Sequence, residues 1–150
     1  MKAKALPVLD CACASLRRAA RAVTQAYEAE LHGTGLRATQ FTLLQALQRM
    51  GTSPHPPSQG ALGELLALDA TTLSRSLRPL ERAGWIRAAA GSDRREVCWT
   101  LTPAGRRQLA RARPAWQRAQ ARLRAELRPK HWRLLALDLA AVAAAARGAP

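Results

Sequence analysis

Residues 69–84 read DATTLSRSLRPLERAG. Asp69 is suited to cap a helix start, its carboxylate taking the free N–H of Thr71 or Thr72, and Gly84 stands where a helix usually stops. Leu73, Leu77 and Leu80 recur at helical spacing and mark one buried stripe. At about 100° per residue, Thr71, Arg75, Arg78 and Arg82 fall on the opposite face, with Thr72 and Ser74 on its flanks. That face carries hydroxyls and guanidinium groups but no acid, because Glu81 lies nearer the apolar side. These are the groups a helix needs in a DNA major groove: Arg forks onto guanine, and Ser or Thr meets bases or phosphates. The plainer alternative is a solvated face in an Arg-rich chain, so the flanking segments have to decide.

Upstream, Ser58 caps a short helix through Leu66, and a brief turn at Ala67 and Leu68 leads into Asp69. Two short helices joined by a tight turn, the second polar on its outer face, have helix-turn-helix geometry. Pro79 removes one backbone donor and should kink the second helix beyond the turns that would enter a groove. Downstream, 85–90 and 97–101 are strand candidates joined by a turn of Gly91, Ser92 and Asp93, which leaves Arg94 and Arg95 at the tip. A ribbon with an Arg-bearing tip directly after a helix-turn-helix is a wing, and Arg is favoured in the negative potential of a narrow minor groove. Asp93 would aim a neighbouring Arg by a charge-assisted hydrogen bond. Taken alone, the hairpin reads more readily as a solvated turn with a weak surface ion pair.

The remaining segments are helical. Over 8–32, Leu9, Cys13, Leu16, Ala20, Val23 and Tyr27 repeat at spacings of four and three, a seam suited to another helix. Residues 37–50 follow, with Phe41, Leu44 and Leu47 on one face. Thr102 and Pro103 open a long helix to about Arg128, with Leu109, Trp116, Leu123 and Leu127 as its main apolar residues. A last helix follows Pro129, where Trp132, Leu135, Leu139 and Val142 form a second seam. Seams at both ends of the chain predict terminal helices that associate into a homodimer. The expected class is mainly α: a winged helix-turn-helix lobe over 35–102 with a small two- or three-stranded wing. A helical dimerisation lobe would come from both termini, 1–34 and 103–150.

The 150 residues carry a formal net charge of +14, which suits a polyanion such as double-stranded DNA. No apolar run reaches the ~18 residues of a membrane span, and Pro7 and Asp10 interrupt the basic N-terminus before it can read as a signal peptide. A cytoplasmic protein without membrane attachment is expected. Three cysteines, two of them one residue apart, make no disulfide framework. His32, His55 and His131 lie on unrelated elements, and no HExxH or phosphate-cradling glycine loop is present, so neither an enzyme nor a cofactor is expected. On a regular helix Cys11 and Cys13 would point about 200° apart, which disfavours a metal site within one chain. A sequence-blind, nucleoid-type DNA binder is the rival from another class, since charge alone would serve it.

With the order of elements in place, the chain resembles the MarR family of transcription regulators. GLRATQFTLLQAL at 35–47, LGELLALDATTLSRSLRPLERAGWI at 62–86 and DRREVCWTLTPAG at 93–105 carry the resemblance. It implies a homodimer built from the terminal helices, a recognition helix at 70–83 and a wing tip whose Arg95 reaches the minor groove. It also implies repression relieved by an effector, either an oxidant or a small aromatic or phenolic ligand bound between the lobes. Thr71, Thr72, Ser74, Arg75, Arg78, Asp93, Arg94 and Arg95 are thus the expected DNA contacts.

Organic-hydroperoxide regulators within that family carry a sensing cysteine near the start of the first helix. Counting back from Gln40 and Phe41, Cys13 falls at its position and Tyr27 at that of a tyrosine bonded to it. Arg17 replaces a second tyrosine and no cysteine follows Cys98, so the resemblance implies a general thiol switch at Cys13 with Cys11. A helix start and Arg17 would favour the reactive thiolate. Packing as a small apolar residue is the alternative for Cys13.

Overall fold

Ser58, Asp69 and Thr102 set the starts of three helices. Ser58 Oγ accepts from the Ala61 N–H at 3.2 Å, Asp69 Oδ1 from the Thr72 N–H at 2.8 Å and Thr102 Oγ1 from the Gly105 N–H at 3.0 Å. Each satisfies one of the donors that a helix start leaves open. The structure, a computed structural model, describes residues 6–52, 55–91 and 96–148. In chain order the elements are α1 (Ala12–Leu31), α2 (Ala38–Met50), α3 (Gln59–Leu66), α4 (Ala70–Arg82), β1 (Ile86–Ala90), β2 (Val97–Leu101), α5 (Pro103–Glu126) and α6 (Pro129–Gly148). The strands form an antiparallel hairpin, with Ile86 opposite Leu101 and Ala90 opposite Val97.

The buried cluster is continuous. It joins Leu31 of α1, Phe41, Leu44 and Leu47 of α2, Leu62 of α3, the α4 stripe, Ile86 and Leu101 of the hairpin, and Leu109, Ala112 and Ala115 of α5. Burying each leucine contributes about 1.5–3 kcal/mol, so the helix-turn-helix is held by the same core that anchors α5. Trp116 stacks on Phe41, their centroids 5.6 Å apart, and fixes α5 over α2. Glu28 Oε1 reaches across from α1 to accept the Ala38 N–H at the start of α2, at 2.9 Å. Thr34 O, in the intervening turn, accepts from Gln108 Nε2 and Arg111 Nη2 of α5. Glu30 bridges Arg118 and Arg122 at 3.0 and 2.9 Å. Hydrogen bonds from Arg122, then Arg118, hold the Glu30 carboxyl below its ordinary range.

Several expectations need correction. The first helix begins at Ala12 rather than at residue 8, with Cys11 extended at its N-cap (φ −94°, ψ 117°). Cys11 has no side-chain cap bond there, and Leu9 therefore falls outside the helical seam. α5 ends at Glu126 rather than Arg128, with Leu127 extended (φ −111°, ψ 136°). The residue before a proline avoids the helical region, and here Pro129 begins the next helix, so the break falls just ahead of it. Trp85 precedes β1 rather than opening it. As expected, Pro79 lies inside α4, which runs on to Arg82.

No residue of α6 is buried. Leu135, Leu139 and Val142, the seam residues, are exposed along with Leu134 and Leu137. Trp132 instead turns back within the chain, where the Arg124 guanidinium lies 5.0 Å from its ring centre. At its far end Arg147 Nη1 donates to the Glu64 carbonyl at 2.9 Å, so α6 spans from the end of α5 to the last turn of α3.

Candidate nucleic-acid interface

The turn between α3 and α4 places the outward face. Ala67 takes a left-handed conformation (φ 52°) after α3, and the Leu68 N–H closes onto Gly63 O at 2.9 Å. Asp69 then starts α4 with both carboxylate oxygens engaged, Oδ1 by the Thr72 N–H and Oδ2 by the Thr72 hydroxyl at 2.6 Å. The hydroxyl bond, followed by the backbone bond, holds the Asp69 carboxyl below its ordinary range, so the cap is charged and carries its full acceptor strength. Leu73, Leu77 and Leu80 are each at most 1% exposed, which locks the rotation of α4 about its own axis. The helix ends with Gly84 at φ +70°, Gly84 N–H on Glu81 O at 2.8 Å and Trp85 N–H on Leu80 O at 3.0 Å. That double closure turns the chain straight into β1.

The face this leaves outward carries the expected residues. Thr71, Thr72, Arg75 and Arg78 are exposed and Ser74 is half-buried. Thr71, Ser74, Arg75 and Arg78 together line one shallow surface dip with Ala70. Among the described residues, no carboxylate forms an ion pair with Arg75, Arg78 or Arg82. Two of the hydroxyls are partly committed: Thr72 spends its hydrogen on Asp69, and Ser74 Oγ accepts from Gln59 Nε2 at 2.9 Å. Asp93, Arg94 and Arg95 lie outside the described residues; of the hairpin, β1 and β2 are described, β1 following closely on α4.

At the other end, Cys11 and Cys13 are exposed at the N-cap and in the first turn of α1. Because Cys11 is outside the helix, the 200° separation of a regular helix does not apply to the pair. Tyr27 is half-buried in a concavity of about 320 Å³ that it lines with Val23, Leu123 and Arg122. Burial pushes its hydroxyl pKa up, with the charge of Arg124 opposing. Cys98 is buried in β2. Among the described residues no group of three or more His, Cys, Asp or Glu side chains could hold a metal ion, and no helix is long and apolar enough to cross a membrane.

Sequence patterning did not anticipate three participants. Gln59 and Trp99 stand behind Ser74, with Trp99 Nε1 donating to Gln59 Oε1 at 3.1 Å, and Arg147 sits at the end of α3. Their partners lie 15 to 83 residues away in sequence, so no local period could have shown them.

Helix, tight turn, polar-faced helix and hairpin, all packed on one core, define a winged helix-turn-helix DNA-binding protein. Comparison with known proteins fixes the family. Residues 34–96 match the model of the MarR family. The chain is similar to the Mycobacterium tuberculosis transcriptional regulator MosR, solved in complex with DNA: 34% identity, 92% of this chain and 97% of that one, TM-score 0.81. A probable transcriptional regulator from Pseudomonas aeruginosa is 28% identical over 89% of this chain and 97% of that one, TM-score 0.73. The Bacillus subtilis HTH-type transcriptional regulator YwoH is 29% identical over 87 residues, 58% of this chain and 61% of that protein. The chain belongs to the MarR family of transcriptional regulators.

Proposed function

We propose that the chain is a homodimeric, sequence-specific repressor that binds a pseudo-palindromic operator. α4 enters the major groove and the tip of the hairpin reaches the minor groove. The observation that carries this is the outward face of α4: Thr71, Ser74, Arg75 and Arg78 without an acid, on a helix whose orientation is fixed by three buried leucines. Residues 35–102 act as the DNA-binding lobe and the two termini as the dimerisation lobe. The apolar face of α6 covers itself against a second copy.

A base contact and a backbone contact should behave differently. Arg75→Ala is expected to cost about 1–3 kcal/mol and to relax preference at one position per half-site. Arg95→Ala, at the wing tip, is expected to weaken binding evenly across sequences and to lower the slope of log K against log salt by about 1. Site selection from random DNA, followed by titration at several salt concentrations, separates the two. An equal loss on specific and random DNA for Arg75→Ala would make it a phosphate contact, and a nucleoid-type binder would show no selected sequence at all.

The effector proposed is an oxidant acting at Cys13, with Cys11 beside it. Both thiols are exposed at the start of α1, itself one of the helices expected to pack against the partner, whereas Cys98 is buried. The Cys13 thiolate attacks the terminal oxygen of a hydroperoxide, the O–O bond breaks, and the alkoxide leaves, taking a proton from water to depart as the alcohol, with Cys13 left as sulfenic acid. That product, or the disulfide it forms with Cys11 of the other subunit as water leaves, alters the dimer seam and the spacing of the two α4 helices. Hydroperoxide is expected to release wild type and Cys98→Ser from DNA but not Cys13→Ser, and reductant to restore binding. If Cys13→Ser binds normally and is still released, a non-covalent ligand between the lobes becomes the better account.

A further inference from the structure

One line of hydrogen bonds runs from the hairpin through α3 to the outward face of α4. Its direction is fixed by Trp99, whose indole N–H can only donate. Trp99 Nε1 donates to Gln59 Oε1 at 3.1 Å, so the amide group of Gln59 must present its –NH₂ on the other side. There it meets Ser74, whose Oγ accepts at 2.9 Å. The platform beneath is firm. Trp99 is only 8% exposed, its backbone N–H donates to Pro57 O at 3.0 Å, and Ser58 bridges to Cys98 immediately before Gln59 opens α3.

A serine hydroxyl can present either a donor or an acceptor to a base. Here one lone pair of Ser74 is filled from inside the protein. Its own hydrogen has no acceptor among the described residues, and the side chain borders the dip shared with Thr71, Arg75 and Arg78. Ser74 is also in the N-terminal half of α4, the part of a recognition helix that meets base edges. We propose that Gln59 is a specificity-determining positioning residue: it holds Ser74 as a hydrogen-bond donor toward a base acceptor in the major groove that adenine and cytosine lack, O6 of guanine or O4 of thymine. The inference rests on α4 entering that groove.

Gln59→Glu tests the polarity without changing the shape. A carboxylate still accepts the Trp99 N–H, but toward Ser74 it accepts where the amide donated. Ser74 then turns its hydrogen inward and shows lone pairs to the DNA, which suits N6 of adenine or N4 of cytosine. An acid at the first position of α3 is favourable to that helix, so folding is preserved. The measurement is site selection from random DNA at fixed salt with wild type, Gln59→Glu, Ser74→Ala and Arg75→Ala.

At one position per half-site, wild type is expected to prefer G or T about two- to tenfold, the worth of one neutral hydrogen bond. Gln59→Glu is expected to move that preference to A or C, and Ser74→Ala to erase it, with the other positions unchanged. Gln59→Glu weakening every sequence alike, from added repulsion of phosphates, would overturn the proposal, as would Ser74→Ala leaving the profile intact. If Arg75→Ala also leaves every position unchanged, the placement of α4 itself is wrong. If Arg75→Ala changes the profile and Gln59→Glu does not, only the role of Gln59 falls.

Discussion

Gly105→Ala is expected to destabilise the protein by about 3 kcal/mol or more and to cost it DNA binding. Alanine in a helix is ordinarily about 1 kcal/mol better than glycine, so the sign alone is informative. Gly105 lies in the first turn of α5 and is buried. A Cβ there would overlap the carbonyl oxygen of Trp85 and sit 2.8 Å from its carbonyl carbon. That atom cannot retreat cheaply, because Trp85 O is the acceptor for the Thr102 N–H at 3.0 Å and lies 3.2 Å from the Thr102 hydroxyl. Relief of the clash must part α5 from the entry to β1, which is also the exit from α4. Both the core and the aim of the recognition helix then suffer.

Gly84→Ala provides the contrast. Gly84 has φ +70° but nothing within 4 Å of the added carbon, so it should cost only the left-handed strain of about 1–2 kcal/mol. Urea titrations of the two variants at equal m-value would separate collision from conformation. A Gly105→Ala protein within about 0.5 kcal/mol of wild type, the range of an ordinary surface substitution, would show that the close approach is not a constraint.

Gly105 also illustrates what could and could not be taken from the sequence. Its place in DRREVCWTLTPAG carried a family resemblance, but the reason for a glycine there is a contact with Trp85, twenty residues earlier. Starts and stops marked by side chains were legible: Ser58, Asp69 and Thr102 each cap the helix they precede, and Gly84 closes α4. Those signals are local, and local chemistry is what a sequence displays. α1 was placed too early because Leu9 continues the apolar period past the true start, where Cys11 offers no capping bond. The core face of α5 was seen only in part. Ala112, Ala115 and Ala119 are at most 3% exposed, yet alanine is too weakly apolar to mark a stripe. It becomes core through the close approach of a neighbouring helix, which depends on tertiary packing. The face of α4 was legible because its leucines fixed the stripe. The state of its hydroxyls was not, since Gln59 lies on another helix and Trp99 on the hairpin.

The double variant Leu135→Glu, Leu139→Glu is expected to yield a folded chain of half the wild-type assembled mass whose affinity for the full operator falls by roughly 10²–10⁴. Both leucines point from the same side of α6 and are 37% and 46% exposed in the single chain. Placing carboxylates there costs the isolated fold little. In a dimer seam, by contrast, burying unpaired charge is prohibitive. The DNA loss follows from geometry. Two α4 helices held about 34–36 Å apart engage both halves of a pseudo-palindrome at once, and a monomer has only one. Its salt dependence should fall toward half as well, because half as many phosphates are neutralised. Leu137→Glu is the matched control: Leu137 is 63% exposed and lies on the opposite side of α6, so mass and affinity should be unchanged. Sedimentation at micromolar concentration and titration of one operator read both quantities. If the double variant keeps its mass and its affinity, α6 does not build the assembly and the dimer must close through other surfaces. If it becomes a monomer that still binds the full operator as tightly as wild type, recognition does not require two copies of α4, and the homodimeric repressor proposed for this chain is wrong.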